Sequence, residues 1–386
     1  MSITQLDKEY VAGTYARFPL ELKNGKGAVV YDTDGKEYID LGTGIAVNTF
    51  GYADDEWIAA VTKQMNALQH TSNLFYTEPC AKLAELLCEK TGMKKVFFSN
   101  SGAEANECAI KTARRYSFLK YGEGRSTIVT LKNSFHGRTV TTLAATGQDT
   151  FHTEFGPFTE GFVYAEANNT AEVIALVKEH NCCAVMMEPV QGEGGVMKLD
   201  DTFVKEVYDF CSKNDVLLIC DEVQTGNGRT GSLYAYQQFG IIPDIVSTAK
   251  GLGGGLPIGA TMLGEKVKDT LTPGSHGSTF GGNPVACAGA FSIISRIDEE
   301  LLASVRSKSE YIFNELGNAE GIKSVSGMGL MIGLETEKDA KEVVAACREK
   351  GVLVLTAKTK VRLLPPLNIP DELLSKAVDI IKECVK

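Results

Sequence analysis

Apolar runs alternate with amphipathic stretches through the middle of the chain. Continuous apolar segments predict strands at Val96–Ser99, Ile128–Leu131, Ala184–Met187, Val216–Cys220, Ile245–Thr248 and Thr261–Leu263. Helical spacing predicts helices between them. Glu78–Lys90 places Ala81, Ala84, Leu87 and Cys88 on one face and meets Gly92 as a stop. Thr202–Asn214 repeats the pattern with Phe203, Val207, Phe210 and Cys211. Strands that are apolar without alternation are buried on both faces. The expected architecture is therefore α/β, a mainly parallel sheet covered by helices. Ligands of such sheets bind at the carboxyl ends of the strands.

The pattern changes after about residue 290. Short strands are expected at Val325–Glu335, Val352–Thr356 and Val361–Leu364. A last helix, Asp371–Lys386, brings Leu374, Ala377, Val378 and Ile381 together. The first 50 residues are rich in glycine and read as an arm with short strands at Ala28–Tyr31 and Glu37–Asp40. The expected division is 1–50 as an arm contributing to a small lobe, 51–290 as a large domain and 291–386 as a small α+β C-terminal domain. A chain of 386 residues exceeds one typical domain, which agrees with that division.

Composition adds limits rather than direction. With 44% hydrophobic and 23% charged residues the chain is an ordinary globular protein. A net charge of −10 argues against nucleic acid as a main partner, so an anionic substrate must be captured by local arginines. The ten cysteines make no C-x-x-C pair and fall mostly within apolar patterns, as reduced thiols of a cytoplasmic protein do. The segment Met1–Asp7 has neither the basic nor the apolar region of a signal peptide, and no apolar run approaches a membrane span. The five histidines show no paired ligand spacing, so no metal is expected.

Chemistry concentrates at the predicted strand ends. The strand Val216–Cys220 runs into Asp221-Glu222-Val223-Gln224, and Ile245–Thr248 runs into Ala249-Lys250 followed by Gly251-Leu252-Gly253-Gly254-Gly255. A lone lysine is ordinarily a solvated charge. Here it follows a buried strand and precedes glycines that let backbone approach a ligand. A partly desolvated lysine has a lowered pKa, which favours the neutral amine that attacks an aldehyde. A carboxylate such as Asp221 is costly to bury without a positive partner. A carboxylate for a pyridine nitrogen and a lysine for an aldehyde are what pyridoxal 5'-phosphate requires.

Other strand ends supply what this pair lacks. Asn100-Ser101-Gly102-Ala103-Glu104 carries a capping box, Ser101 with Glu104, at a helix start. The free amides of Gly102 and Ala103 would lie at the positive end of the helix dipole and suit a phosphate. Ser134-Phe135-His136-Gly137-Arg138-Thr139 offers Phe135 to stack on a ring and Arg138 to clamp a carboxylate. His136 reads as structural rather than as a base. Glu188–Gly195 reads as a flexible acidic loop containing Glu193, and Ser278-Thr279 offers hydroxyls. Arg362, alone in an apolar strand, calls for an acidic partner. Neither a Walker motif nor a dinucleotide fingerprint is present, which disfavours a nicotinamide oxidoreductase. A binding protein that kept the fold without its cofactor is the remaining alternative.

Over essentially its whole length, and in the order of its motifs, the chain resembles the class III, fold type I pyridoxal-phosphate aminotransferases. The resemblance rests on Asp221–Gln224 and Lys250, and also on Gly44–Asn48, Ser72–Tyr76, Ser134–Thr139 and Arg362–Pro366. It implies a large mainly parallel-sheet domain with a smaller C-terminal domain. It implies that Lys250 holds the cofactor aldehyde and that Asp221 pairs with the ring nitrogen. Glu222, Val223 and Gln224 would complete that side of the cofactor, with Val223 and Phe135 sandwiching the ring. Gly102, Ala103 and Thr279 would bind phosphate, Thr279 reaching over from the neighbouring subunit of a homodimer with a shared active site. Arg138 and Ser278 would contact the amino-acid substrate. Glu193 and Arg362 would form a pair that opens for 2-oxoglutarate. The implied donor is N2-acetylornithine, a substrate of arginine biosynthesis, with ornithine, succinylornithine, 4-aminobutyrate or a lysine-pathway amine as alternatives. The family usually has a Gly-His-x-His-Pro-like turn where this chain reads Gly51-Tyr52-Ala53-Asp54-Asp55.

Overall fold

Seven strands form the central sheet, in the order Lys95–Ser99, Gly259–Leu263, Ile245–Thr248, Leu217–Asp221, Ala184–Met187, Ile128–Leu131 and Phe162–Ala165. The computed structural model describes residues 2–386. Gly259–Leu263 pairs antiparallel with both its neighbours, while the other adjacent pairs are parallel. Six strands thus share one direction, which is the mainly parallel α/β sheet the apolar runs predict.

Each central strand buries both faces, and the pleat sends alternate residues to different cores. Val129, Val185, Leu218 and Val246 join one cluster. Their neighbours Ile128, Ala184, Leu217, Ile219 and Ile245 join another on the opposite face, packed against Ala109, Ile110 and Ala113 of the helix Gly102–Tyr121. A further cluster unites Ala28, Ile39 and Leu41 with Val305, Ile332, Val361 and Leu374. The first strands therefore pack with the end of the chain. Val352–Leu353 pairs in parallel with Glu37–Asp40 to extend the N-terminal sheet.

Several expectations shift in detail. The strand expected from Val216 begins at Leu217 and ends on Asp221 itself. The strand expected over Val325–Glu335 is a hairpin, Ile322–Met328 and Met331–Thr336, turned at Gly329 with φ 58°. The strand expected over Val352–Thr356 divides into Val352–Leu353 and Leu355–Ala357, which belong to different sheets. The helix Glu78–Thr91 buries Leu83 and Leu87 and leaves Ala81 exposed, so its inner stripe is rotated from the expected one. Gly92 ends it in the left-handed conformation, as expected. The edge strand Phe162–Ala165 is not among the expected strands, although its four apolar residues match the length of those expected elsewhere.

The turn that departs from the family pattern is ordered by its own bonds. Tyr52 Oη donates to the buried Asp40 carboxylate at 2.6 Å. Asp54 accepts the Trp57 N–H at 2.9 Å and so caps the helix Asp55–Ala67. The same carboxylate takes both guanidinium nitrogens of Arg296, at 3.1 and 2.8 Å, from the end of the helix Pro284–Ser295. Asp54→Ala removes a helix cap and a two-pronged ion pair together. It is expected to cost about 2 kcal/mol and lower the thermal midpoint by a few degrees while activity is kept. An unchanged midpoint would contradict this role.

Candidate active site

Because the parallel strands share a direction, their carboxyl ends lie along one edge of the sheet. Asn100–Ala103, Phe135–Arg138, Glu188, Asp221 and Ala249–Lys250 therefore leave the sheet side by side. With Val223 and Gln224 they line a cavity of about 590 Å³. Pro257 and Ile258, at the start of the antiparallel strand, close one side. Tyr15 and Val47 reach it from the N-terminal arm.

Asp221 ends its strand and is 3% exposed. Its Oδ2 accepts from Asn106 Nδ2 at 2.7 Å and is 2.8 Å from His136 Nδ1. Its Oδ1 accepts the Val223 N–H at 3.0 Å. Asn106 is itself held by Ser247 Oγ at 2.5 Å. The carboxylate is thus oriented by three neighbours before any ligand arrives.

Lys250 stands beyond the end of the next strand, where Ser247 is in register with Asp221. Its backbone is in the left-handed region, at φ 46°, a strained conformation for a lysine. Neighbouring bonds hold it there. Asn227 Nδ2 donates to the Ala249 carbonyl at 3.1 Å, and Thr49 Oγ1 donates to the Gly251 carbonyl at 2.8 Å. Burial holds the Lys250 amine below the ordinary lysine range; Glu193 opposes this and Arg362 adds to it. The neutral amine is a nucleophile.

The helix Gly102–Tyr121 aims its start at the cavity. Ser101 Oγ accepts the Glu104 N–H at 3.2 Å. Glu104 reaches back one residue further than in a capping box, to the Asn100 N–H at 2.6 Å. The first-turn amides of Gly102 and Ala103 have no intrahelical acceptor and line the cavity. Gly102 presses on Val223: a Cβ there would lie 2.6 Å from Val223 Cγ1.

Arg138 is exposed, with its guanidinium carbon 4.3 Å from the Phe151 ring centroid and 5.5 Å from that of Phe135. The two rings hold the fork in place and leave its N–H groups for a carboxylate. Arg362 is buried and has the acidic partner its strand position called for. Its Nη1 donates to Glu193 at 2.5 Å and to Gln224 Oε1 at 3.2 Å. Burial would raise the Glu193 carboxyl, but Arg362 prevails and holds it below the usual range. The loop expected to be flexible is a short hairpin, Val190–Gln191 with Met197–Lys198, that carries Glu193 to this pair.

Five expected residues do not line the cavity: Glu193 and Arg362, which meet it through Gln224, and Glu222, Ser278 and Thr279. Glu222 turns into the core, where its carboxylate accepts from Thr225 Oγ1, Ala235 N and Tyr236 N at 2.5, 3.0 and 2.7 Å. Those donors explain its orientation. Ser278 and Thr279 line a second cavity, of about 500 Å³, with Glu104, Glu107 and His276. Asn100 borders both cavities and donates to Ser278 Oγ at 3.0 Å. Two residues at the first cavity were not singled out from the sequence for a cofactor role, Asn106 and Glu188. Each was visible as a polar residue in an apolar pattern: Asn106 lies on the buried face of its helix, and Glu188 follows the strand Ala184–Met187.

The donor set fits pyridoxal 5'-phosphate. An oriented buried carboxylate, a partly desolvated amine and two open helix-start amides face one space, and each matches one part of that molecule.

The family Aminotransferase class-III matches residues 10–385. The acetylornithine aminotransferase of Haemophilus ducreyi is 52% identical over 383 residues, covering 99% of this chain and 98% of that one. The fold is similar to that of the N-acetylornithine aminotransferase of Stenotrophomonas maltophilia, with a TM-score of 0.86 and 34% identity over 99% of this chain and 98% of the other. It is also similar to the ornithine aminotransferase of Toxoplasma gondii, with a TM-score of 0.95 and 33% identity over 99% and 94%.

Proposed function

The chain belongs to the class-III aminotransferases, and from that premise we propose that it moves the terminal amino group of N2-acetylornithine to 2-oxoglutarate. The products are N-acetylglutamate 5-semialdehyde and glutamate. The observation that carries the reading is the single cavity that Asp221 and Lys250 share with Arg138. The 52% identity to an acetylornithine aminotransferase supports this donor over the related amines.

Pyridoxal phosphate, when bound, supplies an aldehyde and a ring that draws electrons from the carbon bearing the transferred nitrogen. In this reading Asp221 holds the ring nitrogen, Gly102 and Ala103 hold the phosphate, and Phe135 and Val223 enclose the ring. Gln224 would donate to the ring oxygen. Lys250 would hold the aldehyde carbon until the substrate amine displaces it, and its freed Nζ would then take the proton from the substrate carbon that bears the amine. Arg138 holds the carboxylate far from the reacting carbon, a group that donor and acceptor both possess. The donor's reacting carbon has no carboxylate beside it, so Arg362 keeps Glu193. The ketone carbon of 2-oxoglutarate does have one, and Arg362 leaves Glu193 to meet it. The pair thus serves two substrates of different charge.

A panel of amine donors, each tested with 2-oxoglutarate as acceptor, checks the substrate. Acetylornithine is expected to exceed ornithine, 4-aminobutyrate and lysine in kcat/KM by about tenfold or more. A higher value for any of those three would reassign the donor.

A homodimer completes this proposal. Asn73 Nδ2 ties Ser72–Tyr76 to Ser278–Gly281, with bonds of 3.0 and 2.9 Å to the Ser278 and Gly281 carbonyls. Leu74, Phe75, Tyr76 and Phe280 are exposed there. Such an apolar patch around Thr279 suits a second copy, to whose cofactor phosphate Thr279 would then turn. Residues 1–50 and 291–386 are proposed as the small lobe and 51–290 as the cofactor domain, a division supported by the separate core of Ala28, Ile39 and the C-terminal elements. A cytoplasmic location is proposed from the ten free cysteines. No helix among the described residues is long and apolar enough to cross a membrane.

A further inference from the structure

One buried carboxylate ties together the two loops that carry the substrate-binding charges. Glu188 is 5% exposed and lines the cavity. Its Oε1 accepts the Phe135 N–H at 2.8 Å, and its Oε2 accepts the Gly192 N–H at 3.2 Å. Phe135 lies three residues before Arg138 and packs against its guanidinium. Gly192 immediately precedes Glu193, the partner of Arg362. Gly192 cannot move freely, since a Cβ there would lie 2.5 Å from Gln224 Nε2. Gln224 is in turn bonded to Arg362.

We propose that Glu188 is a positioning residue that sets the span between the Arg138 clamp and the Glu193–Arg362 pair, and thereby the fit of the dicarboxylate acceptor. This rests on the roles assigned above to Arg138 and Arg362. The acceptor must meet two cations at once, so its binding depends on the span between them. The amine donor meets only Arg138 and depends on the span far less. Glu188 is therefore selective for one half-reaction although it touches neither arginine.

The bonding pattern makes this testable. Both partners of Glu188 are N–H donors, and a carboxylate accepts at both oxygens. A carboxamide of the same shape accepts at one and places N–H against N–H at the other. Glu188→Gln therefore keeps the volume and releases one loop. Burial pushes the Glu188 carboxyl up to about 7; His136 lowers it and Asp221 raises it further. The other charged group facing it is Lys250. On the alkaline side of that value both oxygens accept. On the acid side one carries a proton, and one loop loses its full acceptor.

The experiment follows the two half-reactions of the holoenzyme separately by rapid-mixing absorbance, through the pH window around 7, for the wild type and Glu188→Gln. In the variant, apparent Kd for 2-oxoglutarate is expected to rise about tenfold, as loss of one charge-assisted hydrogen bond implies. Apparent Kd for acetylornithine should stay within about threefold. In the wild type, Kd for 2-oxoglutarate should rise as pH falls below about 7; the variant should lack that limb. An equal rise for both substrates, or an acid limb that survives in the variant, overturns the proposal. If Glu188→Gln does not fold, Glu188→Asp decides: it keeps the charge but is too short to reach both loops. It should weaken 2-oxoglutarate selectively, and an unselective effect overturns the proposal. A wild type that fails with acetylornithine and 2-oxoglutarate would instead overturn the functional reading itself.

Discussion

Replacing Lys250 by alanine is expected to reduce transamination by on the order of 10⁴-fold or more and to remove the visible absorbance of the reconstituted protein. Among the described residues Lys250 is the only lysine lining the cavity, so no second lysine amine can take its place. The two functions proposed for it would vanish together: the covalent hold on the aldehyde and the base that moves the substrate proton. Lys250→Arg is a useful companion, because it keeps a cation at the site while arginine stays protonated and cannot attack a carbonyl. Both variants should still fold, since the strained turn is held by Asn227 and Thr49 through backbone carbonyls and not through the lysine side chain. An absorbance band and turnover that persisted in Lys250→Ala would sink the assignment.

The second large effect belongs to Asp221. Asp221→Asn is expected to lower kcat by about 10²- to 10³-fold, the scale on which loss of a preorganised electrostatic partner is felt. The amide keeps the shape of the carboxylate but not its charge. It also cannot accept at both ends, so its NH₂ must face the Val223 N–H or the Asn106–His136 pair. KM should change little, because the groups assigned to the substrate, Arg138 and Arg362, are not bonded to Asp221. The readouts are a steady-state kcat and KM for each substrate and the fraction of cofactor retained after gel filtration. An unchanged kcat would show that the ring nitrogen does not depend on this carboxylate.

Much of the frame was legible in the order of residues. Ile128–Leu131, Ala184–Met187 and Ile245–Thr248 are strands at the expected residues, because a largely apolar or β-branched run bounded by turn residues has few other ways to bury itself. Asp221 and Lys250 were legible for a related reason. A charge directly after such a run must sit at a strand end, and in a parallel sheet all strand ends of one sense share an edge. What was less legible depends on contacts across the chain. The acidic hairpin read as a loose loop because neither the pairing of Glu193 with Arg362 nor the two loop amides on Glu188 can be seen from local pattern. Glu222 read as part of the site because its neighbours are, yet its donors at Thr225, Ala235 and Tyr236 turn it inward.

The amino-acid sequence alone thus determined the α/β architecture, the chemistry of a carboxylate and an amine at two strand ends, and the resemblance that implies pyridoxal phosphate as the group they would hold. These follow from local burial and from the chemical character of single residues. Only the tertiary structure decided which polar groups meet. It placed Asn106 and His136 on Asp221, Gln224 between Glu193 and Arg362, Glu188 between two loops, and Ser278 and Thr279 in a cavity of their own. The physical reason is that a hydrogen bond is settled within a few tenths of an ångström between residues far apart in the chain, 169 positions in the case of Glu193–Arg362. Periodicity along the chain carries no information at that precision.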